Sequence, residues 1–268
     1  MSHPGRLMKK PLLLNQVAIV TGASSGIGRA TALALARQGA YVALAARNTE
    51  ALNTLAVEIK SLGSEALVVP TDVSQPEQVN RLVDAVIQRW GYVDILVSNA
   101  GQYIRAPILH MERAELEHSM AVNFYGGVYA VQAVLPHMLA RSSGHILLVS
   151  SLDGKLALPG DAPYVSAKFA LNGFGATLRQ EMAGKGISVT LVLPGRVDTP
   201  MIRNLHVPSI SAKISPEAVA RGIVHAVRRR PAEVILPFQG GLLYYISVFS
   251  PGLSDWLTRL FHLQGWNV

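Results

Sequence analysis

The stretch VAIVTGASSGIG, Val17 to Gly28, decides the fold of this 268-residue chain. A short β-branched run leads into a glycine-rich turn that starts at Thr21, and a helical pattern begins at Arg29. Glycines in such a turn let the backbone come close to a pyrophosphate, and the helix N-terminus offers free N–H groups to the anion. The spacing G-x-x-x-G-x-G differs from the dinucleotide fingerprint G-x-G-x-x-G, and the chain lacks the Lys and Ser/Thr of a P-loop. A turn that serves only tight packing of strand against helix is the alternative.

Short apolar runs alternate with longer helical patterns as far as about residue 236, with no Gly/Ser/Pro-rich linker between them. This alternation predicts a single doubly wound α/β domain of the Rossmann type, with a mostly parallel seven-stranded sheet and helices on both faces. The Rossmann domain should span residues 16–236, after an N-terminal extension, 1–15, and before an apolar C-terminal segment, 237–268. The predicted strands are Val17–Val20, Tyr41–Ala45, Ala66–Val69, Ile95–Ser98, His145–Ser150, Ser188–Leu193 and Val234–Leu236.

Two helix starts can be read from capping patterns. Ser74 followed by Glu77 predicts a capping box, and Ser215 before Pro216 predicts a second helix start.

Composition and charge exclude several classes of protein. The 24 basic and 17 acidic residues give a net charge of +7, of which six charges come from Arg6, Lys9, Lys10 and Arg228–Arg230. Few aromatic residues lie between the basic ones, so we expect no nucleic-acid binding. The absence of cysteine excludes disulfides, thiolate catalysis and Cys-ligated metals, and the histidines form no metalloenzyme motif, so no metal is predicted.

The terminal segments bear on localisation. Lys9 and Lys10 before Leu12–Leu14 imitate a signal peptide, but Asn15 and Gln16 interrupt the apolar run, so we expect a cytoplasmic protein. From Val234 to Ser254 there are 21 residues without charge, although Pro and Gly break this stretch too often for a membrane span. Three roles remain open for residues 237–268: a lid over an apolar pocket, an oligomer contact, or a peripheral membrane contact beside Arg228–Arg230.

The end of the second predicted strand indicates which nicotinamide cofactor the chain would prefer. An NAD site usually carries Asp or Glu there to bind the ribose 2′-hydroxyl, but this chain has Ala46, Arg47 and Asn48. A guanidinium with no carboxylate beside it suits a 2′-phosphate, which favours NADP(H) over NAD(H). A solvated surface arginine is the alternative interpretation of Arg47.

YVSAK, Tyr164 to Lys168, places a phenol and an ammonium four residues apart on one helix face. Proton transfer by tyrosine near neutral pH is helped when its pKa of about 10 falls by some 2 to 3 units, and a neighbouring ammonium acts in that direction. Ser151 lies 13 residues upstream, after a predicted strand, where it could donate a hydrogen bond to a carbonyl oxygen. Ser150 competes with it for that role.

With these motifs the chain resembles the short-chain dehydrogenase/reductase family from about Gln16 to Thr199. The matching elements are the glycine turn, Asp72 with Val73, SNAG at Ser98–Gly101, Asn123 in AVNFYGG, Ser151, the Tyr164/Lys168 pair and PGRVDT at Pro194–Thr199. Ser98 departs from the Asn that usually opens the NNAG motif, which leaves the Asn-Ala-Gly core intact.

The resemblance implies catalytic roles for four residues. Tyr164 would be the general acid/base, Ser151 the donor to the substrate oxygen, Lys168 the partner of the nicotinamide ribose, and Asn123 the holder of a water in the proton relay. The implied cofactor-binding residues are Gly22, Ser24, Ser25, Gly26, Ile27, Gly28, Arg47, Asn48, Asp72, Val73, Asn99, Ala100, Gly101, Tyr164, Lys168, Pro194, Gly195, Val197 and Thr199.

The sequence therefore predicts an NADP(H)-dependent oxidoreductase that moves a hydride between the nicotinamide and a carbonyl or secondary alcohol. The mostly apolar predicted substrate walls favour a hydrophobic substrate, and residues 201–214 are predicted to form a mobile lid. Those walls are Ser151, Tyr103, Leu152, Asp153, Leu158 and Arg196. The alternative function is a catalytically silent NADP-binding sensor or scaffold. The resemblance also implies a homodimer or homotetramer built on the helices within residues 113–139 and 164–183.

Overall fold

The computed structural model describes residues 12–208, 211, 213–263 and 266–267. The basic residues Arg6, Lys9 and Lys10 lie outside this described part of the chain, as do Ser209, Ile210 and Ala212 of the predicted lid.

Seven parallel strands form one sheet in the order β3-β2-β1-β4-β5-β6-β8. Every pairing between neighbouring strands of this sheet is parallel, which confirms the predicted α/β fold. The predicted strand boundaries agree with the observed ones within one residue. The seven strands are β1 (Val17–Thr21), β2 (Tyr41–Ala46), β3 (Ala66–Pro70), β4 (Ile95–Ser98), β5 (Gly144–Val149), β6 (Ile187–Pro194) and β8 (Glu233–Leu236).

Helices cover both faces of the sheet because alternate strand side chains point to opposite sides. Ala18 and Val20 of β1 join the core formed with the helices α1 (Gly26–Arg37), α2 (Thr49–Ser61) and α7 (Pro216–Arg229). Val17 and Ile19 join the opposite core, formed with three other helices. These are α3 (Pro76–Trp90), α5 (Gly126–Ala140) and α6 (Ala162–Glu181).

One helix between β4 and β5 changes its winding. The helix α4 (Arg113–Met120) leads into a π-helical turn, Ala121–Tyr125, before α5 begins. A π turn adds one residue to the helical repeat and turns its side chains toward a new direction, and such turns are frequent at functional sites.

The two predicted helix starts have different outcomes. Ser215 caps α7, since its hydroxyl accepts a hydrogen bond from the Ala218 N–H at 3.2 Å. The capping box at Ser74 was wrong: α3 begins at Pro76, and the Ser74 hydroxyl donates to Asp72 Oδ1 at 2.8 Å.

The C-terminal segment forms two further helices, α8 (Phe238–Phe249) and α9 (Pro251–Leu260), which pack on each other. A two-stranded antiparallel sheet pairs β7 (Leu205–His206) with β9 (Trp266–Asn267). Arg228–Arg230 end α7 at the amino end of β8, whereas α8 begins after the carboxyl end of β8. The four residues of β8 thus separate Arg228–Arg230 from the start of α8. Within the described ranges, no helix is both long and apolar enough to cross a membrane.

Candidate active site

A cavity of about 440 Å³ lies at the carboxyl ends of β1 to β6. Parallel strands end at the same edge of the sheet, so the loops that follow them meet there. The cavity brings together all of the predicted cofactor-binding residues except Gly28, together with Ser151, Tyr103, Asp153, Leu158 and Arg196 of the predicted substrate walls.

The glycine turn at the end of β1 is packed too closely for side chains. Gly22 has a positive φ of 67°, and a Cβ there would lie 2.8 Å from Asn99 Nδ2. A Cβ on Gly28 would lie 2.2 Å from the Gly22 carbonyl oxygen, so Gly28 supports the turn from beneath the cavity. Thr21 connects the turn to the Asn-Ala-Gly segment, because its hydroxyl accepts from the Asn99 and Ala100 N–H groups at 2.9 and 3.0 Å. The N-terminus of α1, which is the positive end of the helix dipole, thus faces the cavity. A pyrophosphate could bind to its free N–H groups there.

Arg47 and Asn48 follow β2 at one end of the cavity. Asn48 caps α2, since its Oδ1 accepts from the Ala51 N–H at 3.0 Å. Arg47 is exposed, and no carboxylate in the described part of the chain forms an ion pair with it. Burial acts to raise the pKa of Asp72, but the hydrogen bonds from Ser74 and the charge of Arg47 together lower it. The guanidinium is thus available for an anionic ligand.

Tyr164, Lys168 and Ser151 meet on the floor of the cavity. Lys168 Nζ donates to the Val149 carbonyl at 3.1 Å and lies 5.6 Å from the centroid of the Tyr164 ring. The Ser151 hydroxyl accepts from the Asp153 N–H at 3.0 Å and donates to the Pro194 carbonyl at 3.5 Å, and it lies close enough to Tyr164 to lower the pKa of the phenol. The Ser150 hydroxyl donates instead to the Lys168 carbonyl at 3.3 Å. Of the two serines, Ser151 is the one that faces the phenol.

The chain's own groups do not activate the tyrosine. Burial raises the pKa of Tyr164 above its ordinary value, the charge of Asp153 raises it further, and hydrogen bonding to Ser151 only partly opposes them. Burial also lowers the pKa of Lys168 to about 8, because the desolvated ammonium loses its hydration. For Tyr164, burial and the Asp153 charge thus outweigh the hydrogen bond to Ser151, and the lowering of its pKa by the Lys168 ammonium stays a prediction.

Asn123 lies in the π-helical turn and holds the loop after β4. Its Nδ2 donates to the Gln102 carbonyl at 2.8 Å, and its Oδ1 accepts from the Gln102 N–H at 2.9 Å. The side chain is buried and lies behind the wall of the cavity. The structure thus places Asn123 as a support of the loop that carries Gly101 and Tyr103.

The substrate end of the cavity is only partly apolar. Leu158, Met201, Ile202 and Leu205 line it together with Tyr103, Asp153 and Arg196. Leu152 does not line the cavity: its side chain is buried beneath α8, where a Cβ on Gly240 would lie 2.3 Å from Leu152 Cδ1. Its placement in the substrate wall is therefore corrected, because the C-terminal segment covers it.

Comparison with known proteins agrees with this geometry. A family profile described as short chain dehydrogenase matches residues 16–208. The chain belongs to this family.

Similar proteins occur in fungi and bacteria. The chain is 38% identical over 226 residues to glycine betaine reductase ATRR of Emericella nidulans, covering 81% of this chain but only 18% of that protein. It is 35% identical over 271 residues to the uncharacterized oxidoreductase YxnA of Bacillus subtilis, covering 96% of this chain and 76% of that one.

Two solved structures share the fold. A variant of actinorhodin polyketide ketoreductase with NADPH has a TM-score of 0.78 and 30% identity, and the match covers 83% of this chain and 95% of that one. An alcohol dehydrogenase from the archaeon Thermococcus sibiricus, complexed with 5-hydroxy-NADP, has a TM-score of 0.74 and 28% identity, with coverage of 82% and 95%.

Sequence reasoning missed a buried polar cluster beside the tyrosine. Asp161 is fully buried and accepts from Tyr103 Oη and from Arg105 Nε, each at 2.7 Å. The Tyr103 ring packs edge-on against Tyr164, with 5.0 Å between centroids. Asp161 lies three residues before Tyr164, at the start of α6. An acidic residue at a helix start was the feature of the sequence that could have pointed to this cluster.

Proposed function

We propose that the protein is an NADP(H)-dependent oxidoreductase that reduces a carbonyl group to a secondary alcohol. One observation supports this proposal most directly: Tyr164, Ser151 and Lys168 line the same cavity as the glycine turn. A bound nicotinamide would supply or accept the hydride. The two structural neighbours, which were solved with NADPH and with 5-hydroxy-NADP, support this choice of cofactor.

The residues of the cavity fit such a cofactor. The turn from Gly22 to Gly26 would hold the pyrophosphate on backbone N–H groups, since it lines the cavity at the N-terminus of α1. Arg47 would bind a ribose 2′-phosphate, and Lys168 would donate to the ribose hydroxyls next to the nicotinamide. The absence of an acidic residue at the end of β2 favours the phosphorylated cofactor.

Tyr164 can serve as the proton donor in the reductive direction. The phenol holds its proton near neutral pH, and burial raises its pKa further. Ser151 would donate a hydrogen bond to the carbonyl oxygen, and Tyr164 would transfer its proton to that oxygen as negative charge develops there. Oxidation of the alcohol would reverse both steps.

Replacing the phenol hydroxyl tests the proposal. With a panel of ketones and aldehydes, we expect Tyr164→Phe to lower kcat for NADPH consumption by about 100-fold or more. The dissociation constant for NADPH should stay within about twofold, because the ring packing remains. Tyr245→Phe, which alters an exposed tyrosine on α8, is the matched control. Unchanged turnover in Tyr164→Phe would remove Tyr164 from the mechanism, and no turnover by the wild-type protein would favour the silent sensor or scaffold.

Cofactor choice is tested at Arg47. The wild-type protein should use NADPH in preference to NADH, and Arg47→Ala should weaken NADPH binding about 10-fold or more while NADH binding hardly changes. Arg81→Ala on the exposed face of α3 is the control for a lost surface charge. A wild-type preference for NADH would contradict the assignment.

A further inference from the structure

Asp153 is a carboxylate at the substrate end of the cavity for which the proposed reaction has no use. It lines the cavity two residues after Ser151, and within the described ranges no basic side chain forms an ion pair with it. Its side chain interacts with the Ser151 hydroxyl. Neutral ketone reduction gains nothing from a negative charge at this place.

The nearby charged groups are engaged elsewhere. Arg196 donates from Nη1 to Ser211 Oγ at 2.5 Å and from Nη2 to the Leu263 carbonyl. Lys168 donates to the Val149 carbonyl. Both oxygens of the other buried carboxylate, Asp161, accept hydrogen bonds, whereas Asp153 faces open cavity.

The negative charge of Asp153 disfavours the proposed carbonyl reduction unless another group pairs with the carboxylate. The substrate oxygen becomes negative during reduction, and a carboxylate close to the same hydroxyl repels that charge. Burial raises the pKa of Asp153 to about 6, the charge of Asp161 raises it as well, and Arg196, Ser151 and Lys168 oppose the rise. At about pH 7.5 the carboxyl is therefore still mostly ionised.

We propose that Asp153 recognises the substrate, and that the substrate carries a hydrogen-bond donor, a hydroxyl or an ammonium, on the carbon next to the carbonyl. This donor pairs with the Asp153 carboxylate while Ser151 donates to the carbonyl oxygen. An ammonium neutralises the Asp153 charge and a hydroxyl partly screens it by a hydrogen bond, so in both cases the charge opposes the developing negative charge on the substrate oxygen less strongly. The inference rests on the proposed carbonyl reduction and names the class of its substrate.

A matched series of ketones tests this recognition. Propiophenone, α-hydroxyacetophenone and α-aminoacetophenone differ only in the group on the carbon next to the carbonyl, which is a methyl, a hydroxyl or an ammonium. We expect the wild-type protein to reduce the two donor-bearing ketones with a kcat/KM about 10-fold or more above that of propiophenone. Asp153→Asn should reduce that ratio, and Asp153→Leu should abolish it. Asp84→Asn on α3, which removes an exposed carboxylate far from the cavity, should keep the wild-type ratio.

Comparison of the hydroxyl ketone with the ammonium ketone identifies the kind of donor that Asp153 binds. An advantage confined to the ammonium ketone indicates charge pairing, and an advantage shared by both indicates hydrogen bonding to a neutral donor. Equal kcat/KM for all three ketones in the wild-type protein overturns the proposal, as does a preference that survives in Asp153→Leu.

A binding measurement separates this proposal from the proposed function. Calorimetric titration of the three ketones into NADPH-loaded Tyr164→Phe, and into the same protein carrying Asp153→Asn, needs no turnover. Tighter binding of the donor-bearing ketones that is lost with Asp153→Asn supports the proposal even if the wild-type protein consumes no NADPH, a result that would overturn only the proposed reaction. Equal affinities in both proteins overturn the Asp153 proposal.

Discussion

His145 is a titratable residue that lies in the middle of the sheet, away from the cavity. Its side chain is 2% exposed, and its Nε2 lies 2.9 Å from Thr190 Oγ1, which itself donates to the Pro231 carbonyl at 2.6 Å. Burial lowers the pKa of His145 to about 4, the charge of Arg230 lowers it further, and the Val227 carbonyl opposes the shift. The folded protein therefore holds this imidazole neutral at a pH where the unfolded chain protonates it.

This difference makes His145 a source of acid sensitivity. Between about pH 6.5 and pH 4 the unfolded state binds the extra proton, so stability falls as the pH falls through this window. We expect the loss from this residue to be roughly 2 to 3 kcal/mol between about pH 7.5 and pH 4.5. Urea unfolding at the two pH values should show that His145→Gln loses less stability on acidification than the wild-type protein does.

The control for this prediction is His225→Gln, which alters an exposed histidine on α7 and should keep the wild-type pH dependence. An equal loss of stability in His145→Gln and the wild-type protein would show that another group causes the acid sensitivity.

At the scale of elements, the helix α6 carries both Tyr164 and Lys168, and two of its glycines have different surroundings. A Cβ on Gly175 would lie 2.7 Å from Leu191 Cδ2 and 2.9 Å from Leu148 Cδ1, both in buried strands. A Cβ on Gly173 would meet nothing within 4 Å. Close approach of α6 to the sheet thus depends on Gly175 and not on Gly173.

Alanine at the two positions should have opposite effects. Gly173→Ala is expected to raise the free energy of unfolding by about 0.5 to 1 kcal/mol, because it removes the entropy cost of glycine in a helix. Gly175→Ala should lower it by about 1 to 3 kcal/mol, since the methyl group displaces α6 from β5 and β6. Urea unfolding of the two variants measures both effects, and effects of the same sign would contradict the packing described here.

The elements differ in how far the sequence determines them. The seven strands of the sheet were predicted because strands buried on both faces are continuous apolar runs. The pairing of β7 with β9 was not, since two-residue strands have no periodicity and lie 60 residues apart. The π-helical turn was also missed, because AVNFY has the composition of a continuous helix.

The same distinction holds within the cavity. Residues that follow strand ends, such as Arg47 and Ser151, could be located from sequence because topology alone brings them to one edge. The Asp161 cluster depends on how a loop after β4 reaches the start of α6, and the contact with Arg105 spans 56 residues. Leu152 was misplaced because its environment is set by the C-terminal helices rather than by its own neighbours in sequence.

At the scale of the whole molecule, α8 and α9 expose several large apolar side chains. Leu242 is 66% exposed, Phe249 85% and Trp256 52%. From Phe238 to Leu260 the only charged residues are Asp255 and Arg259, so the helices have no basic cluster to attract anionic lipid. We expect a second copy of the chain to cover this surface, with apolar faces packed against each other.

We expect the wild-type protein to sediment as a dimer or larger assembly whose proportion rises with concentration, because burial of these side chains offsets the entropy cost of association. Replacing Leu242, Phe249 and Trp256 together with Gln should shift the protein toward the monomer in analytical ultracentrifugation. Val57→Gln, at an exposed apolar residue on α2, should leave the distribution unchanged. The dimer would be contradicted if the wild-type protein is monomeric at all concentrations yet sediments with phosphatidylcholine vesicles. That result would assign the surface to a membrane, because zwitterionic lipid offers apolar contact without charge attraction.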